Sequence, residues 1–246
     1  MEKESAYKLL AKQLETSNGQ AKKFIDRGLV YLGGRKVKIA RALVPVNSKF
    51  KVKDVDQVKV IFEDEYVVVV NKPSFIDSDE ILKMFKGTTL LHRLDRETSG
   101  VLILSKDEEF KGKLIREFKE RRVYKEYVAW VNGKVAEPFS ITKSLKKVTR
   151  GGKATVIVDK LGDDAITHIE PILLVGKRSK VKVTIETGRT HQIRVHLSSD
   201  SLPIVGDTQY GGAEFDRVML HSKKIKILDY TFEAPEPRIF ERFIHG

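Results

Sequence analysis

The apolar positions divide the chain into a short helical start and a long, strand-rich remainder. Residues 6–14 (AYKLLAKQL) repeat apolar side chains at helical spacing, and SNG at 17–19 offers a cap. Residues 20–27 (QAKKFIDR) then make a second short helix, stopped by Gly28. Two apolar runs around Gly33-Gly34 (LVYLGGRKVKI) predict a hairpin. Residues 48–60 (SKFKVKDVDQVKV) are polar and alternating, as expected of a linker leading into a strand. After it, EYVVVVNKP predicts a buried strand ended by Pro73, VLILSKD at 101–107 a second, and residues 107–122 an amphipathic helix. Further strands are predicted at YKEYVAWVNG and around KATVIVDK. VKVTIET at 181–187 alternates cleanly, with Val181, Val183 and Ile185 on one face, and THQIRVHL reads as a helix. Strands are in the majority. The expected class is α+β: a small helix–hairpin domain over residues 1–55, then a larger mixed domain over 56–246 with a mainly antiparallel sheet.

Composition fits this picture and adds a partner class. The chain has 246 residues, 41% hydrophobic and 33% charged, enough to bury a real core. No run approaches the roughly 18 apolar residues of a membrane span. The opening MEKESAYKLL lacks an apolar signal core, so cytoplasmic residence without membrane association is expected. Without cysteine, disulfides and thiolate-held zinc are excluded. The formal net charge is +12. Residues 1–60 hold 14 basic and 6 acidic side chains; the rest hold 32 and 28. The excess is therefore concentrated at the start, where Lys22, Lys23, Arg27, Arg35, Lys36 and Lys38 run along the helices and hairpin. That is an electrostatic handle for a polyanion.

Within residues 5–55, SNGQAKKFIDRGLVYLGGRKV resembles an S4-type RNA-binding domain: a small residue, a basic helix, Arg-Gly, then a valine-rich hairpin with a glycine turn. Read without that resemblance, it is a small helix–hairpin cap. Five further segments stand in order: NKP at 71–73, HRLDRETSG at 92–100, KEY at 125–127, GRTHQIRVHL at 188–197 and PIVGDTQYGG at 203–212. Together they resemble the RluA-type pseudouridine synthases over about residues 60–232. The RsuA-type branch typically has glycine before RLD, whereas His92 stands there in this chain.

The resemblance implies isomerisation of uridine to pseudouridine in RNA. The N1–C1′ bond breaks, the uracil turns, and C5 joins C1′, with no need for a cofactor or a metal. Such a site needs one carboxylate, an apolar surround and a surface that holds the detached base. The resemblance gives Asp95 the carboxylate role, leaving open whether it attacks carbon or removes a sugar proton. Arg194 matches the position that pairs with this aspartate, since a carboxylate in an apolar pocket protonates unless a cation holds it ionised. If 190–197 is helical, Thr190 and Arg194 share one face, and Ile193 and Leu197 another. Tyr127 matches the tyrosine that stacks on the target ring, and Leu220 an apolar residue against the base. Arg93 matches an arginine that helps turn the base out of its stack. Arg189 and His191 are expected to contact the substrate. Read without the motifs, Arg194 is a surface arginine, and Tyr127 and Leu220 are core residues. Arg96, at a position that varies in type, is expected only to contact phosphate; Thr98, Ser99 and Gly100 shape the turn into the strand at 101–105.

Other chemistries find no support. The sequence has no phosphate-binding GxxxxGK[ST] loop, no GxGxxG and no HExxH. His191 and His196, five apart, are a poor metal pair on a helix. One departure from the family pattern is the short stretch FIDSDEILKMFKGTTLL between NKP and HRLD, expected to trim one wall of the cleft or change which RNA fits, without touching the matched catalytic positions. The chain's end is also short. The expected partner is structured RNA, large-subunit ribosomal RNA ahead of tRNA, bound by a monomer. A non-catalytic RNA-binding factor is the rival reading, set against by the presence of both Asp95 and Tyr127. A DNA-binding regulator is a third, for which no helix-turn-helix or dimer signal appears.

Overall fold

The computed structural model describes residues 2–150 and 153–244 and divides into two units, Met1–Gln57 and Val58–Gly246. The first contains β1 (Lys3–Ser5), α1 (Ala6–Gln13), α2 (Asn18–Asp26), β2 (Val30–Leu32), β3 (Arg35–Lys36), β4 (Leu43–Pro45) and β5 (Phe50–Val52). Ser17 caps α2, its Oγ accepting from the Gln20 amide at 3.1 Å. Gly33 and Gly34, at φ 56° and 77°, form the tight β2–β3 turn that needs left-handed residues. Leu10, Ala21, Ile25, Val30 and Phe50 are buried together.

The expected linker over 48–60 starts later than its polarity suggests. Phe50–Val52 instead pairs with β2 and completes a three-stranded sheet. The reason is local. Phe50 is buried in the core, and its backbone is bracketed by the Gln13 side chain, Nε2 donating to Phe50 O at 2.7 Å and Oε1 accepting from Phe50 N at 2.8 Å.

The second unit runs β6 (Lys59–Glu63), β7 (Val67–Lys72), α3 (Ser78–Met84), β8 (Thr89–Leu90), β9 (Ser99–Ser105), α4 (Glu108–Lys119), β10 (Tyr124–Asn132), β11 (Phe139–Ile141), β12 (Leu145–Arg150), β13 (Lys153–Val158), β14 (Thr167–Val175), β15 (Arg178–Ile185), α5 (Gln192–Ser199), β16 (Leu220–Ile227) and β17 (Tyr230–Glu233). Ten strands form one sheet. Its main path is β11-β14-β15-β10-β16-β9-β7-β6, with β17 on β16 and β8 on β9; β12 and β13 make a separate hairpin. The mixed class with an antiparallel-dominated sheet is the one expected. Among the described residues, the one parallel ladder in this sheet is β9 with β16.

Both faces of the sheet are covered, which explains the unbroken apolar run in β7. Val68 and Val70 join one cluster with Leu102, Leu104 and Trp130, while Val67 and Val69 join another with Val101, Ile103 and Leu114 of α4. Val181, Val183 and Ile185 lie on one buried face, as their alternation predicts. Asp107 caps α4 through Phe110 N at 2.6 Å, and the helix gives way at Arg121, whose φ is 58°. The short C-terminal stretch is held by Trp130, whose indole N–H donates to Phe240 O at 2.8 Å. Among the described residues, no helix is long and apolar enough to cross a membrane.

Gly100 makes the parallel ladder possible. Its φ is 115°, and a Cβ there would overlap the carbonyl of Ser222, its partner on β16. Gly100→Ala is expected to lower unfolding free energy by about 3 kcal/mol or more, combining backbone strain with overpacking. Denaturant titration checks this; a drop under about 1 kcal/mol would contradict the account.

Candidate active site

Asp95 lies in the loop between β8 and β9, and backbone contacts hold that loop in place. Ser78, at the start of α3, donates its hydroxyl to Leu94 O at 3.0 Å and accepts from Leu94 N at 3.1 Å. Asp95 O accepts from Thr98 N at 3.0 Å, and Arg96 O from Phe75 N at 2.7 Å. Lys72, fully buried, donates to Pro73 O at 3.0 Å, Ile76 O at 2.8 Å and Arg96 O at 3.3 Å. Burial, with the like charge of Arg217 nearby, pushes the Lys72 ammonium down to about 7.

The partner of Asp95 comes from α5. This helix begins at Gln192, not at Thr190, because His191 takes a left-handed conformation at φ 52°. Thr190 therefore lies outside the helix and shares no helical face with Arg194. His191 is anchored by its Nδ1, 2.7 Å from the Tyr210 hydroxyl. Arg194 is 3% exposed, and its guanidinium is divided between two aspartates. Nε and Nη2 bind the carboxylate of Asp207 at 2.7 and 2.9 Å, while Nη1 donates to Asp95 Oδ2 at 3.2 Å. Gln209 Oε1 accepts a further bond from Nη2 at 3.2 Å, and Glu97 stands 3.8 Å from Nη1. Burial opposes the Arg194 charge, but the bonds and charge of Asp207, aided by Asp95 and Glu97, outweigh it and raise its pKa.

Asp95 Oδ1 is left facing the cleft, 3.8 Å from His191 Nε2. Burial lowers the His191 pKa; the carboxylate of Asp95 works against that shift, and the charge of Arg194 adds to it. Tyr127, on β10, is buried, and its phenol is pushed up to about 12 chiefly by that burial. These groups line a cleft of about 1200 Å³. A smaller recess of about 80 Å³ shares Asp95, Tyr127 and Arg194 and adds Leu220 of β16.

The seven residues expected around the substrate thus lie together: Arg93, Asp95, Tyr127, Arg189, His191 and Arg194 line the cleft, and Leu220 the recess. Lys22, Lys23, Arg27, Arg35 and Lys36 belong to the other unit. The contacts of the short segment after NKP fall beside the matched catalytic positions Asp95, Tyr127 and Arg194: Ser78 grips Leu94, Asp77 pairs with Arg96 at 3.0 Å, and Asp79 binds Arg93 at 2.7 and 2.9 Å. A short connection places α3 directly against the Asp95 loop. Residue type alone does not single out Asp207, Gln209 or Lys125. Asp207 and Gln209 stand in the PIVGDTQYGG segment and Lys125 in KEY, so segment membership is their only signal in the sequence.

Comparison with known proteins places the chain in a family. Residues 85–199 match the RNA pseudouridylate synthase family. An uncharacterized RNA pseudouridine synthase of Helicobacter pylori (strain J99) is 46% identical over 241 residues, 97% of this chain and 99% of the relative. Ribosomal large subunit pseudouridine synthase C of Buchnera aphidicola subsp. Baizongia pistaciae is 32% identical, over 87% of this chain and 82% of the relative. Among solved structures, human RNA pseudouridylate synthase domain containing 1 superposes with a TM-score of 0.65 at 30% identity, over 74% of this chain and 83% of that one. The chain belongs to the RNA pseudouridylate synthase family. Its activity is that of an RNA pseudouridine synthase, an isomerase.

Two measurements test the electrostatics. Asp207→Ala leaves a buried guanidinium without its main partner and is expected to cost about 3–5 kcal/mol of stability, read from denaturant midpoints; a change within about 1 kcal/mol would contradict it. For Lys72, the folded value of about 7 lies below the ordinary 10.5. Between these values the unfolded chain keeps a proton that the folded chain has released, so stability rises with pH across that window. Lys72→Met should flatten this rise by up to about 1.4 kcal/mol per pH unit. An unchanged slope between pH 7 and 10 would show that Lys72 stays charged.

Proposed function

We propose that Asp95 is the carboxylate that carries the isomerisation, acting on a uridine of large-subunit ribosomal RNA. One observation supports this most: among the carboxylates that line the cleft, Asp95 has one oxygen bound by the buried Arg194 guanidinium and the other 3.8 Å from His191 Nε2. Arg194 holds one oxygen of Asp95 in place, which orients the other for either attack on the sugar or removal of its proton. Tyr127 offers a ring face for the uracil and Leu220 an apolar floor. Once the N1–C1′ bond breaks, that enclosure keeps the base close while it turns and C5 bonds to C1′.

Arg93 fits the part of displacing the target base, since its Asp79 partner is exposed and exchangeable for an RNA group. His191, with its pKa lowered, meets the substrate as a neutral hydrogen-bonding ring beside Asp95. Arg189 on the same segment adds a cation to the cleft wall. Residues 1–55 serve as an S4-like RNA grip and 56–246 as the catalytic domain. The grip uses Lys22, Lys23, Arg27, Arg35 and Lys36; Lys23 and Arg35 are exposed, and Lys22 stands 4.4 Å over the Tyr7 ring. The ribosomal substrate is supported by relatives named ribosomal large subunit pseudouridine synthase C and D. In this reading the enzyme works as a cytoplasmic monomer and needs neither metal nor cofactor.

Release of tritium from C5 of labelled RNA reads turnover directly. Asp95→Ala should lower it by about 10³-fold or more and leave RNA affinity within about threefold. Near-normal turnover in that variant would remove Asp95 from the chemistry. For the grip, Lys23→Gln with Arg35→Gln should lessen the log–log salt slope of RNA binding by about 0.7–0.9 for each phosphate that is no longer neutralised. An unchanged slope would place the RNA elsewhere.

A further inference from the structure

Lys125, first residue of the KEY segment, takes no part in the arrangement around Asp95. It starts on β10, is 8% exposed, and ends near Gly188, where a Cβ would come within 3.9 Å of its Nζ. Among the described residues, Nζ donates only to two backbone carbonyls, Glu186 O at 3.4 Å and Thr187 O at 3.3 Å, both long. Among the described residues it forms no ion pair. Lys72 is held differently: three carbonyls surround it, and it lies outside the cleft lining. An ammonium has three protons to donate, and the two carbonyls leave one without a partner.

Burying a cation without a counter-charge costs several kcal/mol. Burial, reinforced by the like charge of Arg121, lowers Lys125 to about 8. A chain that keeps such a group where a ligand can reach it leaves the counter-charge for the ligand to bring. Its location says which ligand. Lys125 lines the main cleft and also a second recess of about 310 Å³, which includes Arg121, Arg122, His168 and Glu186, whose carboxylate lies 2.8 Å from the His168 ring nitrogen. Arg122 is paired with Glu117 and Glu120, whereas Arg121 is exposed and forms no ion pair among the described residues. A polymer whose target base occupies the cleft must continue beyond it, and the wall marked by Lys125 leads into a recess where Arg121 presents a cation and the carboxylate of Glu186 is engaged by His168.

We propose that Lys125 binds the phosphodiester joining the target uridine to an adjoining nucleotide, and that the recess beyond receives that nucleotide. This rests on the reading of the cleft as the uridine site. A phosphate oxygen would complete the ammonium's hydrogen bonds and supply its missing counter-charge. Lys125 then acts on affinity and on the path of the strand, with no role at the reacting atoms.

The test uses full-length enzyme and 5-tritiated total RNA from cells lacking this protein, so that the true substrate is present. Under single-turnover conditions, Lys125→Gln should raise the half-saturating enzyme concentration about tenfold or more and keep the maximal rate within about twofold. Its log–log salt slope should be smaller by about 0.7, and Lys125→Arg should restore the wild-type slope. The melting temperature of Lys125→Gln should be equal or higher, since an unpaired buried charge is gone. An unchanged slope, a fall in maximal rate at constant half-saturation, or a lowered melting temperature would overturn the proposal. Repeating the salt series as filter binding in an Asp95→Asn background separates the two claims. Turnover by Asp95→Asn would remove the reading of Asp95 while leaving the Lys125 difference in slope; disappearance of that difference in both backgrounds would remove the phosphate interaction alone.

Discussion

Arg194 is shared between two carboxylates that do different work. Asp207, 1% exposed, takes the side of the guanidinium formed by Nε and Nη2, and this leaves Nη1 for Asp95. A planar fork with fixed donor directions transmits orientation in a way a lysine cannot. Replacing such a buried pair with apolar residues is often neutral for stability, so its value here lies in geometry. Asp207 fixes Arg194, and Arg194 fixes one oxygen of Asp95 while the other points into the cleft. Tyr210 closes the same cluster, with its ring centre 5.0 Å from Arg194 Cζ and its hydroxyl on His191.

The sheet order brings these groups within reach of one another. β9, β16, β10 and β15 are consecutive neighbours. The loop before β9 provides Asp95, the start of β16 provides Leu220, β10 provides Tyr127, and the segment after β15 leads through Arg189 and His191 to Arg194. Residues scattered over more than a hundred positions of sequence thus meet across four adjoining strands. The parallel β9–β16 ladder is the critical joint, because it sets Leu220 beside the Asp95 loop, and it depends on the missing side chain at Gly100.

Much of this is legible in the chain. β7 and β9 show as unbroken apolar runs, β15 as a clean alternation, and α4 as the helical spacing of Phe110, Leu114 and Phe118. The two- and three-residue strands β1, β4, β8 and β11 are too short to show any period, and β5 is masked by lysines flanking the one buried Phe50. The start of α5 cannot be read, since helical spacing continues through Thr190 while the left-handed turn at His191 is set by its bond to Tyr210, nineteen positions away. Segment resemblance brings out Asp95, Tyr127, Arg194 and Leu220. It does not rank Asp207, whose importance comes from burial and from one distant partner, neither of which a sequence displays. The Arg93–Asp79 pair is invisible for the same reason.

The central claim is that this chain modifies RNA through Asp95. Mapping pseudouridine across all cellular RNA tests it most directly, comparing cells without the protein, with the wild type, and with Asp95→Asn at equal abundance. The account predicts a defined set of uridines in large-subunit ribosomal RNA that is modified only in the wild-type cells. Restoration of the same modifications by Asp95→Asn would contradict it.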